Sequence, residues 1–428
     1  MTQNTAETFA FPADKQEVLD TCMSYWNPGK TADWQDMGVN LVIGRREGYY
    51  LYDITGKRLI DVHLNGGTYN LGHRHPEVVE ALVEATKTFD IGNHHFPSIA
   101  RAELAKALDA CTPEPLKYSI FASGGGEAID IALKCARHAT KRKKIVSLVR
   151  CYHGHTGLAV STGDSRFSKR FLCDGDPETF VQVPFNDIAA MEEALSPGDA
   201  ACVIIETIPA TYGFPMPEKG YLKAIKELCE KHGTMYIADE VQTGLMRTGT
   251  LWGITQYGVT PDILVTAKGL SGGMYPIGAV VVSEEAGRWL TEDGFAHMST
   301  FGGAEIGCKV ALKVLEISQR KETVDNVAFL SSYVRDGLDT IMKDSNGFFK
   351  GIRQRGVIFG LEFDHPEGAK FVMRTLYENG VWAIFSTLDP QVLQFKIGLL
   401  CDKELIDDLL ERVAVGVAQA GEIVRKLA

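Results

Sequence analysis

The sequence predicts an α/β fold: a large domain around a mostly parallel central sheet, and a smaller α+β domain made from the N- and C-terminal segments. Two observations carry this. Between about Pro76 and Val310, short runs apolar on both faces alternate with stretches of helical periodicity. Beyond them, helix-rich sequence is interrupted by two more strand-like runs.

In chain order, the first forty or so residues read as an irregular arm with one short helix. Residues 49–61 place aromatic and branched side chains on either side of Thr55-Gly56 and predict a hairpin. Buried parallel strands are expected at 118–121, 145–149, 202–205, 235–238, 263–266 and 277–282. Between the first two, Ile129, Ala132, Leu133 and Ala136 recur at the spacing of one helix face. Strands are expected again at 356–363 and 392–397. A closing amphipathic helix carries Leu405, Leu409, Val413, Val417 and Val424 on one side. The expected division is 1–60 (arm and hairpin, part of the small domain), 61–315 (large domain) and 316–428 (C-terminal part of the small domain). A parallel sheet covered on both sides places ligands at the carboxyl ends of its strands.

Bulk properties narrow the function. The chain has 428 residues, 45% hydrophobic and 23% charged, as soluble globular proteins do. Its net charge is −11, and the basic run Lys141-Arg142-Lys143-Lys144 reads as a solvated helix end. Nucleic-acid and membrane-surface binding are therefore disfavoured. Nine cysteines without CxxC spacing argue against a disulfide framework and for a reducing compartment. The polar stretch from Met1 to Asp14 lacks the pattern of a signal peptide, and no apolar run reaches membrane-spanning length, so a cytoplasmic enzyme is expected.

Two stretches carry the chemistry. Lys268 follows the apolar run 262–267 and enters the glycine-rich Gly269-Leu270-Ser271-Gly272-Gly273. Burial at a strand end lowers a lysine's pKa and makes its amine nucleophilic. Asp239 ends another such run. Alone it reads equally as a helix N-cap; paired with Lys268 it reads as a site residue. A buried carboxylate and lysine at neighbouring strand ends suit a pyridoxal phosphate site. The lysine can form an imine with the cofactor aldehyde, and the carboxylate can keep the pyridine nitrogen protonated. Ser123-Gly124-Gly125-Gly126-Glu127 links a strand to a helix, as a phosphate-binding turn or simply a tight turn. Tyr152, after another strand, can stack on a cofactor ring or pack in the core. Cys151, His153 and His155 lack the ligand set of a zinc site, and no metal is expected.

The ordered stretches Tyr50-Leu51-Tyr52-Asp53-Ile54-Thr55-Gly56-Lys57, Asn70-Leu71-Gly72-His73-Arg74-His75-Pro76, Tyr152-His153-Gly154, Asp239-Glu240-Val241-Gln242-Thr243-Gly244, Arg247-Thr248-Gly249, Ala267-Lys268-Gly269-Leu270 and Ser299-Thr300-Phe301-Gly302-Gly303 span nearly the whole chain. Together they resemble the class III, or omega-type, aminotransferases of pyridoxal phosphate fold type I. The resemblance implies pyridoxal 5′-phosphate as cofactor, with Lys268 as Schiff-base lysine and proton shuttle. It implies Asp239 at the pyridinium nitrogen, Tyr152 and Val241 on the two ring faces, and Gln242 at the ring hydroxyl. Gly125 and Gly126 amides would hold the phosphate. Thr300 would reach the phosphate of a neighbouring subunit, which implies a homodimer with sites at the interface. The expected reaction is a ping-pong exchange between an amine donor and a keto acid.

The chain also departs from the family pattern. Ser123-Gly124 stand where Asn-Ser is usual, and Ala304-Glu305 where Asn-Pro is frequent. Gln394 takes the place of a carboxylate-binding arginine, and Thr211 that of its glutamate partner. The joint absence motivates a primary amine or omega-amino compound as donor. Lys396 shares a strand face with Gln394 by i, i+2 spacing. It is either a replacement cation for an amino-acid carboxylate or an exposed edge lysine, the latter slightly favoured. Arg247 is expected to be structural. Tyr69, Leu64, Tyr212, Phe214 and Phe385 are pocket candidates by loop position. An epimerase, racemase or aminomutase of the same fold, and a cofactor-binding protein without turnover, are the competing readings.

Overall fold

The computed structural model describes residues 14–92 and 95–427; apart from Asp14, the stretch read above for targeting lies outside them. Among the described residues, no helix is long and apolar enough to cross a membrane.

The chain begins with helices Lys15–Thr21 and Pro28–Asp36, joined by a π turn, rather than the single short helix expected. Both starts are written locally. The side chains of Asp14 and Asn27 accept backbone N–H groups of Gln16 and Lys30, and Pro28 occupies the first turn. Strands β1 (Ile43–Glu47), β2 (Tyr50–Asp53) and β3 (Arg58–Asp61) follow, with β2 and β3 forming the expected hairpin.

The central sheet has seven strands: β4 (Leu116–Ala122), β5 (Lys144–Leu148), β6 (Phe180–Val183), β7 (Ala200–Glu206), β8 (Met235–Asp239), β9 (Ile263–Thr266) and β10 (Gly278–Ser283). Their order across the sheet is β4-β10-β9-β8-β7-β5-β6. All six expected strands form. The seventh, β6, is a short, half-exposed edge strand without a continuous apolar run. One expectation fails: β10 runs antiparallel to both its neighbours. A parallel return needs a crossover of about a dozen residues or more, usually a helix. Here the link from β9 is only the loop that carries Lys268 and its 3₁₀ turn, so the chain doubles back.

Helix Gly125–Thr140 packs on this sheet with Ile129, Ala132, Leu133 and Ala136 all fully buried. The basic run after it is less solvated than expected. Arg142 donates to the carbonyls of Ala200, His232 and Gly233, and Lys144 pairs with Asp199 at 2.7 Å.

Helices Glu305–Gln319 and Lys321–Asp344 lead to β11 (Phe349–Arg355) and β12 (Ile358–Phe363). Helix Gly368–Glu378 then precedes β13 (Val381–Trp382), β14 (Ile384–Ser386) and β15 (Asp389–Lys396), and helix Lys403–Leu427 closes the chain. The antiparallel sheet β11-β12-β15-β14 contains the expected 356–363 and 392–397 strands. In the other small sheet, β13 pairs in parallel with β3, so the N-terminal hairpin is completed by a C-terminal segment. Lys396 corrects an expectation. Its strand lies between β12 and β14, not at the edge, and the residue is fully buried.

Candidate active site

Five carboxyl ends of the central sheet converge. Gly125 follows β4, Tyr152 and His153 follow β5, Glu206 ends β7, Asp239 ends β8, and Lys268 follows β9. Together with Gly126, Val241 and Gln242 they line a cavity of about 200 Å³. The order of β7, β8 and β9 in the sheet sets Glu206 directly beside Asp239.

Asp239 is 4% exposed. Its Oδ1 accepts the Val241 N–H at 3.0 Å and its Oδ2 meets His153 Nδ1 at 2.7 Å. Burial opposes charge on His153, but the Cys151 sulfur and the Asp239 carboxylate outweigh it and hold the ring well above the ordinary histidine range. Burial, joined by the charge of Asp239 and opposed by His153, raises Glu206 to about 7. Glu206 accepts the Tyr152 N–H at 2.8 Å and so fixes the segment that carries the aromatic ring. Lys268 is pulled below the ordinary lysine range by burial, against the opposing pull of Asp239 and Glu206. It sits in the left-handed region at φ 40°, a conformation that costs a non-glycine residue strain and is found at functional turns. A Cβ on Gly66 would lie 3.4 Å from the Lys268 amine, so glycine there keeps the space around Nζ open.

The glycine turn is built for close approach. A Cβ on Gly154 would lie 2.9 Å from Gly126 Cα, and one on Gly126 would lie 2.9 Å from Thr156 Oγ1. Among the described residues no side chain caps the N-terminus of helix Gly125–Thr140, and its first residues line the cavity, an arrangement that favours an anion. Glu127 turns back instead to accept the backbone N–H of Ser123 at 2.8 Å.

Among the described residues, the remaining expected positions fall in four places. Thr300 is exposed, away from the cavity lining. Tyr69 packs at a tilt against His73, with ring centroids 4.0 Å apart, and lines a larger cavity of about 630 Å³ with His63, Asn65 and Trp382. Thr211 and Tyr212 are half-buried outside the smaller cavity, Tyr212 lying under Arg150. Gln394 is nearly buried and Lys396 wholly so. Of the pocket candidates, Leu64 and Phe214 are fully buried, and the Phe385 ring lies under Lys370. Sequence reasoning missed the roles of His153 and Glu206. The signal for Glu206 was the one used for Asp239, an acid closing an apolar strand run.

These features match known proteins. The model of the family "Aminotransferase class-III" matches residues 31–415. The chain belongs to the class III aminotransferases. It is a transaminase of fold type I, and the family's cofactor is pyridoxal phosphate. It is 43% identical over 402 residues to an uncharacterized aminotransferase of Archaeoglobus fulgidus, covering 94% of this chain and 93% of the relative. It is 33% identical to an acetylornithine aminotransferase of Caldanaerobacter subterraneus subsp. tengcongensis, covering 87% and 93%. Among solved structures, the ornithine aminotransferase of Toxoplasma gondii superposes with a TM-score of 0.86 at 27% identity, covering 96% of each chain.

The residues of this aminotransferase fit the cofactor. Gln242 Oε1 is buried with no hydrogen-bond partner among the described residues, and so is His153 Nε2. The cavity thus combines a lysine, an acidic side chain, a helix start without a side-chain cap and an acceptor with no partner among the described residues.

Arg247 stands apart from this chemistry. It is 0% exposed, and burial lowers it to about 10. It donates to the Ile397 carbonyl and to Asn70 Oδ1, tying the segment after β15 to the loop after β3. Arg247→Ala leaves both acceptors buried without donors, at about 1–3 kcal/mol each. We expect a loss of roughly 3 kcal/mol, read as a lower urea midpoint at unchanged slope.

Proposed function

We propose that this aminotransferase moves the amino group of a primary amine or omega-amino compound to a keto acid by a ping-pong mechanism. It works in the cytoplasm as a homodimer with its sites at the subunit interface. The observation that carries the donor reading is the lining of the Lys268 cavity. Among its described residues there is no arginine, and Gln394 and Thr211 stand where the family's carboxylate-binding pair is expected.

When bound, the cofactor supplies an electron sink. The chain's residues supply the rest. The lowered pKa of Lys268 leaves its amine free to act as covalent partner and then to take and return a proton at the amine-bearing carbon. Asp239, its Oδ2 held by His153, would hold a proton at the ring nitrogen. Gly125 and Gly126 would bind the phosphate, Gln242 the ring hydroxyl, and Tyr152 and Val241 would flank the ring. Val241 already lies against Gly125, 3.4 Å from where its Cβ would be.

The dimer reading is supported by exposed apolar side chains. Phe96, Ile99 and Phe301 are 70%, 69% and 51% exposed. Arg101 joins their segments by donating to the carbonyls of Phe96 and Gly303. Such a patch beside the Thr300 loop suits a second subunit. Nine free cysteines support a reducing compartment. The division at 1–60, 61–315 and 316–428 is proposed with it, supported by the pairing of β3 with β13.

The test is the visible spectrum of the holoenzyme, titrated with a panel of amines and then with pyruvate or 2-oxoglutarate. Bleaching by an amine and recovery with a keto acid are expected. Exclusive turnover of ordinary α-amino acids would sink the donor reading. Isomerised substrate without bleaching would make the protein an epimerase or aminomutase.

A further inference from the structure

We propose that Phe167 and His155 are positioning residues that hold the Tyr152 ring against the cofactor. This rests on the reading of Tyr152 as one face of the cofactor site and names what keeps the ring there.

The backbone of Tyr152 is fixed by a hydrogen bond, its N–H donating to Glu206 at 2.8 Å. Its ring is held differently. Among the described residues, no group hydrogen-bonds the phenol hydroxyl. Tyr152 and Phe167 also lie outside the hydrophobic clusters of the chain and are not among the side chains packed against them, so the apolar core does not set the ring's direction. What meets the ring is a triangle of aromatic side chains. Tyr152 and His155 have centroids 5.3 Å apart, Tyr152 and Phe167 5.6 Å, and His155 and Phe167 5.2 Å. The ring planes cross at 68°, 84° and 83°, the edge-to-face geometry that aromatic quadrupoles favour. Each ring abuts the other two, so none turns without disturbing both.

The two supports are tied to different sides of the site. Phe167 lies on the short helix Ser165–Ser168. The Asp164 N–H donates to Cys151 O and the Phe167 N–H to Asp164 O, both at 3.0 Å, so this segment is tied to the residue before Tyr152. His155 follows Gly154, the glycine pressed against Gly126, at φ 120°. Helix Gly157–Thr162 begins two residues later, and its Ala159 N–H donates to Asp130 Oδ1 at 2.7 Å. Asp130 belongs to helix Gly125–Thr140, whose first residues line the Lys268 cavity. The triangle thus braces the loop after β5 against the glycine turn. His155 is exposed and Phe167 only half-buried, so the cluster adds little to the buried apolar area of the fold. Its inner member is the one that lines the Lys268 cavity. A ring already held upright loses less freedom when the cofactor binds, and it keeps water off one face of the bound group.

The experiment is a double-mutant cycle of wild type, Y152L, F167L and Y152L/F167L, with F167Y as the variant that keeps the ring. The readouts are the cofactor dissociation constant and the visible circular dichroism of the bound cofactor, both taken without substrate. For F167L we expect cofactor affinity to fall about three- to tenfold, the weight of one edge-to-face pair, with a weakened dichroic band. F167Y should recover both. In the Y152L background, F167L should change affinity by less than about twofold, because the ring it steadies is gone. Equal losses from F167L with and without Tyr152, no loss in either background, or an F167Y no better than F167L would each overturn the proposal. Should F167L fail to fold, H155L at its exposed position carries the same cycle: a loss confined to the Tyr152 background supports the proposal, and additive losses or none overturn it. Y152L with wild-type affinity and dichroism would instead sink the placement of Tyr152 at the cofactor ring, and the proposal with it.

Discussion

Lys268→Ala is expected to abolish transamination while leaving part of the cofactor bound. The residue is proposed to be the covalent partner and the base in one. Its amine lies in an open space kept by Gly66, at a backbone position held in the left-handed region, and burial keeps its pKa low. Losing general-base catalysis alone costs about 10²–10⁴-fold, and losing the positioned nucleophile costs more, so a fall of at least about 10⁴-fold is expected. The phosphate turn and Asp239 do not depend on Lys268 for their geometry, so non-covalent binding should persist. Steady-state rates with a donor and keto acid, and cofactor absorbance after gel filtration, check both halves. Full activity in the variant would overturn the assignment of the site.

Asp239→Asn is the second large effect. The amide keeps an oxygen for the Val241 N–H but turns an NH₂ toward His153 Nδ1, which also donates. A buried acidic group is lost, and the His153 ring, held up by the Cys151 sulfur and Asp239, loses the second of these partners. Removing one preorganised electrostatic partner from a water-excluded site typically costs about 10²–10³-fold in kcat, and that range is expected here. The readouts are kcat with saturating donor and the cofactor dissociation constant. A kcat within twofold of wild type would remove Asp239 from the cofactor's ring nitrogen.

Much of this site was legible in the sequence because the chemistry sits at strand ends. Apolar runs such as 235–238 and 263–266 mark buried strands, and the polar residue that ends each run has nowhere to go but the sheet's carboxyl edge. That locates Asp239 and Lys268 and would have located Glu206. His153 was harder to place. Its role depends on two strands, β5 and β8, lying close enough for a 2.7 Å contact, and no local pattern encodes that. The same limit explains the direction of β10. Apolar runs report burial on both faces, which a central antiparallel strand shares with parallel ones.

The sequence by itself determined six of the seven central strands, the helix faces, the family and the two residues proposed to carry the cofactor chemistry, because each is marked by the spacing of apolar and polar side chains. Only the tertiary structure decided the environment of Lys396. Alternation along β15 puts it on the face of Gln394, but whether that face meets water or the core depends on β12 and β14 flanking the strand and on the segments after β3 and β7 closing over it. Burial is a property of what packs against a residue from far along the chain. At Lys396 it turned an expected edge charge into a fully buried amine whose pKa is pulled well below the ordinary lysine range, by burial above all.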